Sequence, residues 1–327
     1  MSTADEILAA ASDALVHWDI DAPTIAVLSH TENIVCRVDY GPGPRRVLRL
    51  HRPGYNSLGE LRSEIAWAES LASFGLTVAT PVPLPNGGHH VEVTVDGQPS
   101  FASVIEWIEG HPLTDALTSE PSTTTDWYHR LGVIAATIRA HGQTWTPPAW
   151  FQRRSWDADG LLGENPLWGR FWESPALDTD QQHLFDHVRS LLRQDLDQIT
   201  TDPSTYGLIH ADLHSDNLMV HDGNLTVIDF DDAGFGYYSH ELAVGLRSLL
   251  DTEWLEPATE SLAEGYASIA SDADRVIAEV DTFLTIRCLM LVGWLDQRPT
   301  IALYQYRDQL ALQAEAAANR YLDRRQR

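Results

Sequence analysis

The chain changes texture at Gly110, and no other feature restricts its fold as much. Before that glycine, short β-branched runs (TIAVLSH, NIVCRVDY, RRVLRLH) follow one another with turn residues such as GPGP between them. They read as an antiparallel meander after a first helix over about 4–18. One amphipathic helix breaks the series, because LGELRSEIAWAESLASFG sets Leu61, Ile65, Ala68 and Leu71 or Ala72 on one face and stops at Gly75. GGHHVEVTVDGQPSFASVIEWIEG adds two strands around an Asp96-Gly97 turn. After Gly110 the apolar period becomes helical, over about 122–142, 179–200, 238–251, 255–270, 273–296 and 300–325. The expected architecture is α+β with two lobes. Residues 1–110 form a five-stranded antiparallel sheet with one main helix, and 111–327 form a mainly helical lobe. The Pro- and Trp-rich stretch 144–175 reads as an insertion packed on the helical part.

At 327 residues and 43% hydrophobic content the chain can bury a substantial core. Its net charge of −25 argues against a nucleic-acid partner, which needs cations against phosphates, and against an anionic membrane surface. No apolar run approaches membrane-spanning length and the N-terminal stretch is acidic, so a cytoplasmic protein is expected. Cys36 and Cys288, far apart among apolar neighbours, read as buried free thiols. All 22 basic residues are arginine; there is no lysine.

The densest polar stretch is GLIHADLHSDNLMVHDGNLTVIDFDD, residues 207–232. NLMV and LTVID are apolar strands joined at HDGN, where Asp222-Gly223 suits a tight turn. Folding about that turn returns Asn217 to within about one register step of Asp229. An amide and a carboxylate converging in this way are hard ligands of the kind Mg²⁺ prefers when phosphates and waters complete its shell. Asp212, five residues before Asn217, lies on the entering loop, where a base facing the same centre is wanted.

The pattern His210-x-Asp212-x-x-x-x-Asn217 followed by Asp229 resembles the kinase catalytic loop and its metal-binding aspartate. The wording HADLHSDN with IDFDDAGFG resembles the aminoglycoside phosphotransferase family, including choline-kinase-like and type II homoserine-kinase-like enzymes, from about residue 25 to 300. The resemblance implies a protein-kinase-like fold, use of ATP and Mg²⁺, and phosphoryl transfer to a hydroxyl. It makes Asp212 the catalytic base or hydroxyl-orienting carboxylate and Asn217 and Asp229 the metal ligands, with Asp231 as a further one. It makes VIEWIEG the hinge whose backbone at Glu106, Trp107 and Ile108 pairs with adenine. Ser29 to Asn33 become the nucleotide-covering loop, although without glycine the segment reads equally as a plain hairpin turn.

The family's third-strand lysine has no counterpart. Aligning VLRL with that strand puts Arg49 in the slot and Glu64 of LRSEIAW opposite it; the alternative is an ordinary surface arginine. His210 and His214 read as braces of the loop. His183 and His187, spaced as an i, i+4 pair, read as a solvated helix face without a third metal ligand. Asp232, His240 and Glu241 are candidates for the substrate mouth, Glu241 being equally explained by the helix dipole. Arg287, within the apolar FLTIRCLMLVGW, needs a partner, either a structural carboxylate or a substrate carboxylate, for which Arg153 and Arg154 are the other candidates.

The leading expectation is an ATP- and Mg²⁺-dependent kinase of a small, amino-bearing metabolite or aminoglycoside-type antibiotic, the acidic chain favouring a cationic acceptor. A protein Ser/Thr kinase and a nucleotide-binding regulator with little turnover remain the alternatives. Oligomeric state and the preference for ATP over GTP are left open.

Overall fold

The computed structural model describes residues 4–41 and 43–326; Pro42 of the GPGP turn lies outside the described residues. In chain order the first elements are α1 (Ala4–Leu15), β1 (Thr24–His30), β2 (Ile34–Asp39), β3 (Arg46–Leu50), α2 (Leu58–Phe74), β4 (Val91–Val95) and β5 (Gln98–Glu106). There follow β6 (His111–Pro112), α3 (Leu113–Ser119), α4 (Thr124–Thr144), β7 (Ser155–Trp156), α5 (Ala158–Leu162), α6 (Thr179–Leu196) and β8 (Tyr206–Ile209). The remainder is β9 (Leu218–His221), β10 (Asn224–Val227), β11 (Gly234–Tyr237), α7 (Tyr238–Leu246), α8 (Leu255–Ala267), α9 (Asp274–Ile277), α10 (Val280–Asp296) and α11 (Arg307–Arg325). No helix among the described residues is long and apolar enough to cross a membrane.

The chain divides into two compact units. The first holds the described residues up to His111 together with Pro147–Gln152 and Met219–Asp231; the second holds Pro112–Thr146, Arg153–Leu218 and the described residues from Asp232 onward.

In the first unit β1 to β5 form an antiparallel sheet in the order β1-β2-β3-β5-β4. Strand side chains alternate between faces. Ile34, Cys36 and Val38 of β2 and Leu48 and Leu50 of β3 join Ile7, Ala11 and Ala14 of α1 in one apolar cluster. Burying each leucine there contributes about 1.5–3 kcal/mol. The same alternation sends Arg49 to the opposite face, where α2 lies. α2 opens on a capping box, Ser57 with Glu60, and closes at Gly75 with φ 108. Its buried side chains are Leu61, Ile65, Ala68 and Leu71, and also Trp67 and Glu64. β9 and β10 are hydrogen-bonded neighbours joined through Asp222 and Gly223, whose φ values of 46° and 74° are the left-handed pair a two-residue hairpin requires.

In the second unit α4 and α8 cross closely, and glycines permit it: a Cβ on Gly132 would run into Leu262 O, and one on Gly265 into His129 O. A small sheet, ordered β7-β11-β8, carries the chain into the loop after Ile209. Gly236 of β11 has Ile209 and Trp156 where a side chain would stand. α10 is buried almost all round.

Several expectations are corrected. The single helix expected over 273–296 is two, α9 and α10, separated at Ala278 and Glu279. The one expected over 300–325 begins as a 3₁₀ turn, Ala302–Tyr306, before α11. That over 238–251 gives way to 3₁₀ after Leu246. Strands also occur outside residues 1–110 and the β9–β10 hairpin, as β6, β7, β8 and β11. Pro147–Gln152 of the expected insertion belongs to the first unit, where the Gln152 N–H donates to Ser63 Oγ of α2 at 2.8 Å. Cys36 and Cys288 are free and buried, and His183 and His187 of α6 are exposed.

Candidate active site

The first unit assembles its polar centre around Arg49, which is 7% exposed. Nη1 donates to Glu64 Oε1 at 2.7 Å, and Nη2 faces Asp229 Oδ1 at 2.9 Å and Asp231 Oδ1 at 3.2 Å. Both partners follow from local structure. Glu64 sits on the sheet-facing side of α2, one turn from Leu61 and Ala68. Asp229 follows β10 with φ 62, a strained left-handed backbone for a non-glycine residue and of the kind that gathers at functional sites.

Asp231 is held more firmly still. Its Oδ2 accepts from Asn33 Nδ2 at 3.1 Å and its Oδ1 from Asn56 Nδ2 at 3.1 Å. Asn33 in turn accepts the Arg52 N–H at 3.0 Å through Oδ1, so this end of the Ser29–Asn33 segment is tied into the core of the site. Ser29 lies near the end of β1, just before that turn, its hydroxyl 3.3 Å from that of Thr31. His51, beneath Arg49, is kept neutral: burial, with the Arg49 charge, pushes it down to about 3.

One guanidinium thus meets three carboxylates. The excess of negative charge, carried on hard oxygen donors, suits a divalent cation with phosphate oxygens completing its shell. Among the described residues no group of three or more His, Cys, Asp and Glu side chains forms a metal cage by itself. At the end of β5 the Glu106 N–H is already engaged by Thr80 O at 2.9 Å. Beyond it Trp107 carries the Arg45 guanidinium over its ring at 4.9 Å, and Ile108 follows in the same turn.

The second unit builds its centre on the loop from His210 to Asn217. Ala211 adopts φ 64, and the left-handed turn is gripped by Glu241 of α7, whose oxygens accept the N–H groups of His210 at 2.7 Å and Ala211 at 2.8 Å. Glu241 is 2% exposed; its place is under the loop. Burial pushes its carboxyl up to about 7 against those two hydrogen bonds. His210 Nδ1 accepts the Asp212 N–H at 3.3 Å, bracing the turn from within.

Asp212 is held from three sides. Arg287 Nη2 of α10 lies 2.5 Å from Oδ1, while Asn217 Nδ2 donates to Oδ2 at 3.0 Å and to the main-chain O at 2.9 Å. His214 Nε2 stands 3.3 Å from Oδ2. Burial alone would push the Asp212 carboxyl up, but His214 and Arg287 outweigh it and hold it well below the usual carboxylate range. His214 is correspondingly raised, its burial overcome by the Asp212 charge. The group is therefore an ionised hydrogen-bond acceptor at any ordinary pH, suited to orienting a hydroxyl. With its amide nitrogen turned to Asp212, Asn217 keeps its amide oxygen for another role.

Arg287 therefore has a protein carboxylate, that of Asp212, as its partner. Asp232 pairs with Arg154 Nη1 at 3.2 Å, and its carbonyl accepts from Trp156 Nε1 at 2.8 Å. Sequence reasoning missed Asn56, whose position beside the Ser57 cap carried no signal, and Trp168, over which the Arg287 guanidinium lies at 4.5 Å.

The model of the phosphotransferase enzyme family matches residues 24–279. Amicoumacin kinase of Bacillus subtilis (strain 168) is 25% identical over 249 residues, 73% of this chain and 67% of that protein. Among solved structures, the microcompartment-associated aminopropanol kinase is 30% identical with a TM-score of 0.83, covering 97% of this chain and 98% of that one. The amicoumacin kinase hAmiN, in complex with AMP-PNP, Ca²⁺ and Ami, is 20% identical with a TM-score of 0.79, covering 99% and 94%. The α+β architecture expected from the sequence is that of these protein-kinase-like neighbours.

Proposed function

The chain belongs to the phosphotransferase enzyme family, and we propose that it transfers the γ-phosphoryl group of ATP to a hydroxyl of a small amino-bearing alcohol. The observation that carries this reading is Arg49, a buried cation held by Glu64 and facing Asp229 and Asp231. A cation fixed in this way binds phosphate, and the surplus carboxylates call for a divalent metal. The amino alcohol is suggested by the aminopropanol kinase among the relatives and by the acidity of the chain, which attracts cations.

In this mechanism Arg49 binds the α- and β-phosphates through its Nη2 side, whose partners Asp229 and Asp231 would be taken up by the metal, while Nη1 stays with Glu64, which fixes the direction in which the guanidinium points. Asn217 and Asp229 hold Mg²⁺, with Asp231 as a further ligand kept in place by Asn33 and Asn56. The metal supplies neutralisation of triphosphate charge. The backbone at Trp107 and Ile108, past the engaged Glu106 N–H, pairs with adenine, and the Ser29–Asn33 turn covers the nucleotide. Asp212 accepts the hydrogen bond of the acceptor hydroxyl and aims its oxygen at phosphorus, so that positioning and charge neutralisation provide the catalysis. Asp232, with Arg154, borders the acceptor.

ADP release from ATP and Mg²⁺ is to be measured with 1-aminopropan-2-ol, ethanolamine, choline, homoserine, aminoglycosides and generic peptides as acceptors. Turnover with amino alcohols or aminoglycosides is expected. Turnover with peptides alone would make the protein a Ser/Thr kinase, and none with any acceptor would leave a nucleotide-binding regulator.

A further inference from the structure

Arg287 is a costly residue for its position. Apart from Thr285, whose hydroxyl is satisfied by the Asp281 carbonyl, α10 is otherwise apolar on its buried faces, and Arg287 is 5% exposed. One arm, Nη2, reaches Asp212, but the other, Nη1, is buried with no hydrogen-bond partner among the described residues. An unsatisfied buried donor destabilises a fold, and a methionine or leucine at this point would fill the same space without that penalty. The surrounding structure nevertheless fixes the head group closely. Its Cζ lies 4.5 Å from the centroid of the Trp168 ring, itself 2% exposed, and Trp168 packs edge-on against Trp156 at 5.4 Å and near Trp294 at 6.2 Å. A rigid aromatic wall thus holds a cation against one oxygen of Asp212.

That oxygen is the one the loop does not hold. Asn217 and His214 both address Oδ2, and Arg287 addresses Oδ1. A carboxylate restrained through a single oxygen can rotate about its broad terminal torsion; restrained through both, it cannot. We propose that Arg287 is a positioning residue, locking the Asp212 carboxylate in the orientation from which it receives the acceptor hydroxyl. This rests on the reading of Asp212 given above. It assigns the distant helix α10 a role in the transfer step and none in nucleotide binding.

The variants Arg287→Met, which keeps the apolar stem and volume, and Arg287→Lys, which keeps the charge, are to be compared with wild type and Asp212→Asn. Three quantities are read: kcat and KM for ADP release with 1-aminopropan-2-ol and with water alone as acceptor, ATP affinity by calorimetry, and Tm. Arg287→Met should lower kcat by about 10²-fold, as misplacement of a catalytic group by an ångström does, with ATP affinity within a few-fold of wild type. Arg287→Lys should recover part of kcat, since an ammonium restores the contact with Oδ1 but lacks the second arm of the guanidinium. Should Arg287→Met prove unfolded by its Tm, Arg287→Lys carries the test through the same split between kcat and ATP affinity. Full turnover in Arg287→Met beside an impaired Asp212→Asn overturns the positioning role alone. Higher turnover in Arg287→Met also overturns it, making the ion pair inhibitory by tying up the Asp212 carboxylate. Full turnover in Asp212→Asn, or none in wild type, removes the reading of Asp212 and this inference with it.

Discussion

Arg49→Ala separates what the arginine does for the fold from what it does for the reaction. Glu64 and Asp231, the two deeply placed partners, have side chains 7% exposed, whereas Asp229 is 43% exposed. Removing one member of a buried ion pair costs about 3–5 kcal/mol, because the remaining charge stays uncompensated. The half-exposed Asp229 adds at most about 1 kcal/mol, its charge being screened by water. The net loss is placed at about 3–5 kcal/mol, equivalent to a fall in Tm of about 4–7 °C for a chain of this length. ATP binding or turnover should weaken by about 10-fold to 10³-fold, the effect of losing a charge-assisted phosphate contact of about 1.5–4 kcal/mol. Arg49→Lys should restore only part of both. An ammonium is a compact point charge, while here one arm of a planar fork serves Glu64 and the other serves two aspartates. Glu64→Ala should do less than Arg49→Ala and not add to it, since the glutamate acts through the arginine. The assays are scanning calorimetry, calorimetric ATP titration and ADP release. Wild-type kinetics and Tm in Arg49→Ala would refute the reasoning altogether, and additive losses in the double variant would refute the coupling to Glu64.

Three other outcomes follow from the geometry. Asp212→Asn should bind ATP within a few-fold of wild type while losing about 10²-fold or more in turnover; unchanged turnover would remove Asp212 from the mechanism. His240 is buried with neither ring nitrogen hydrogen-bonded among the described residues, and burial, with the Arg287 charge and against that of Asp212, lowers it to about 3. Its stability contribution is therefore complete above the ordinary histidine value of about 6.5 and is lost as pH falls from there toward 3, so His240→Phe should spare about 1.4 kcal/mol of the acid loss at pH 5.5. Equal acid slopes in denaturant unfolding of the two proteins would show that His240 is not neutral in the fold. Gly265→Ala, which at an exposed helix position would stabilise, should here cost about 1–3 kcal/mol, since the added carbon meets the His129 carbonyl; a raised Tm would mean that α4 and α8 are free to separate.

What the sequence disclosed depended on the range of the signal. Alternation along RVLRL puts Leu48 and Leu50 on one face of β3 and Arg49 on the other, and Gly75 marks the end of α2; which helix covers which face came only with the fold. The hairpin was legible from Asp222-Gly223. The break at Ala278–Glu279 was not, because SDADRVIAEVDTFL keeps an unbroken helical period and contains neither proline nor glycine. GFGY was unreadable as a strand, since Gly234 is required by Arg154 and Gly236 by Ile209 and Trp156, residues far away in the chain. At the site, the polarity of Arg287 in an apolar helix announced that a partner existed. Only folding brought Asp212, 75 residues earlier, to it. Asn56 carried no comparable contradiction with its surroundings and so gave no warning.

The guanidinium at position 49 also decides which reagents can detect this protein. Nucleotide-directed acyl phosphates and other electrophiles that mark kinases do so by acylating the amine that normally lies against the phosphates. Arg49 stays protonated, buried among acids that hold its charge in place, and it has no nucleophilic lone pair to offer. The whole chain holds no lysine as a second target. If Arg49 holds the phosphates as proposed, such a probe would occupy the site and leave without forming a bond, and a survey of kinases based on amine labelling would pass over this protein.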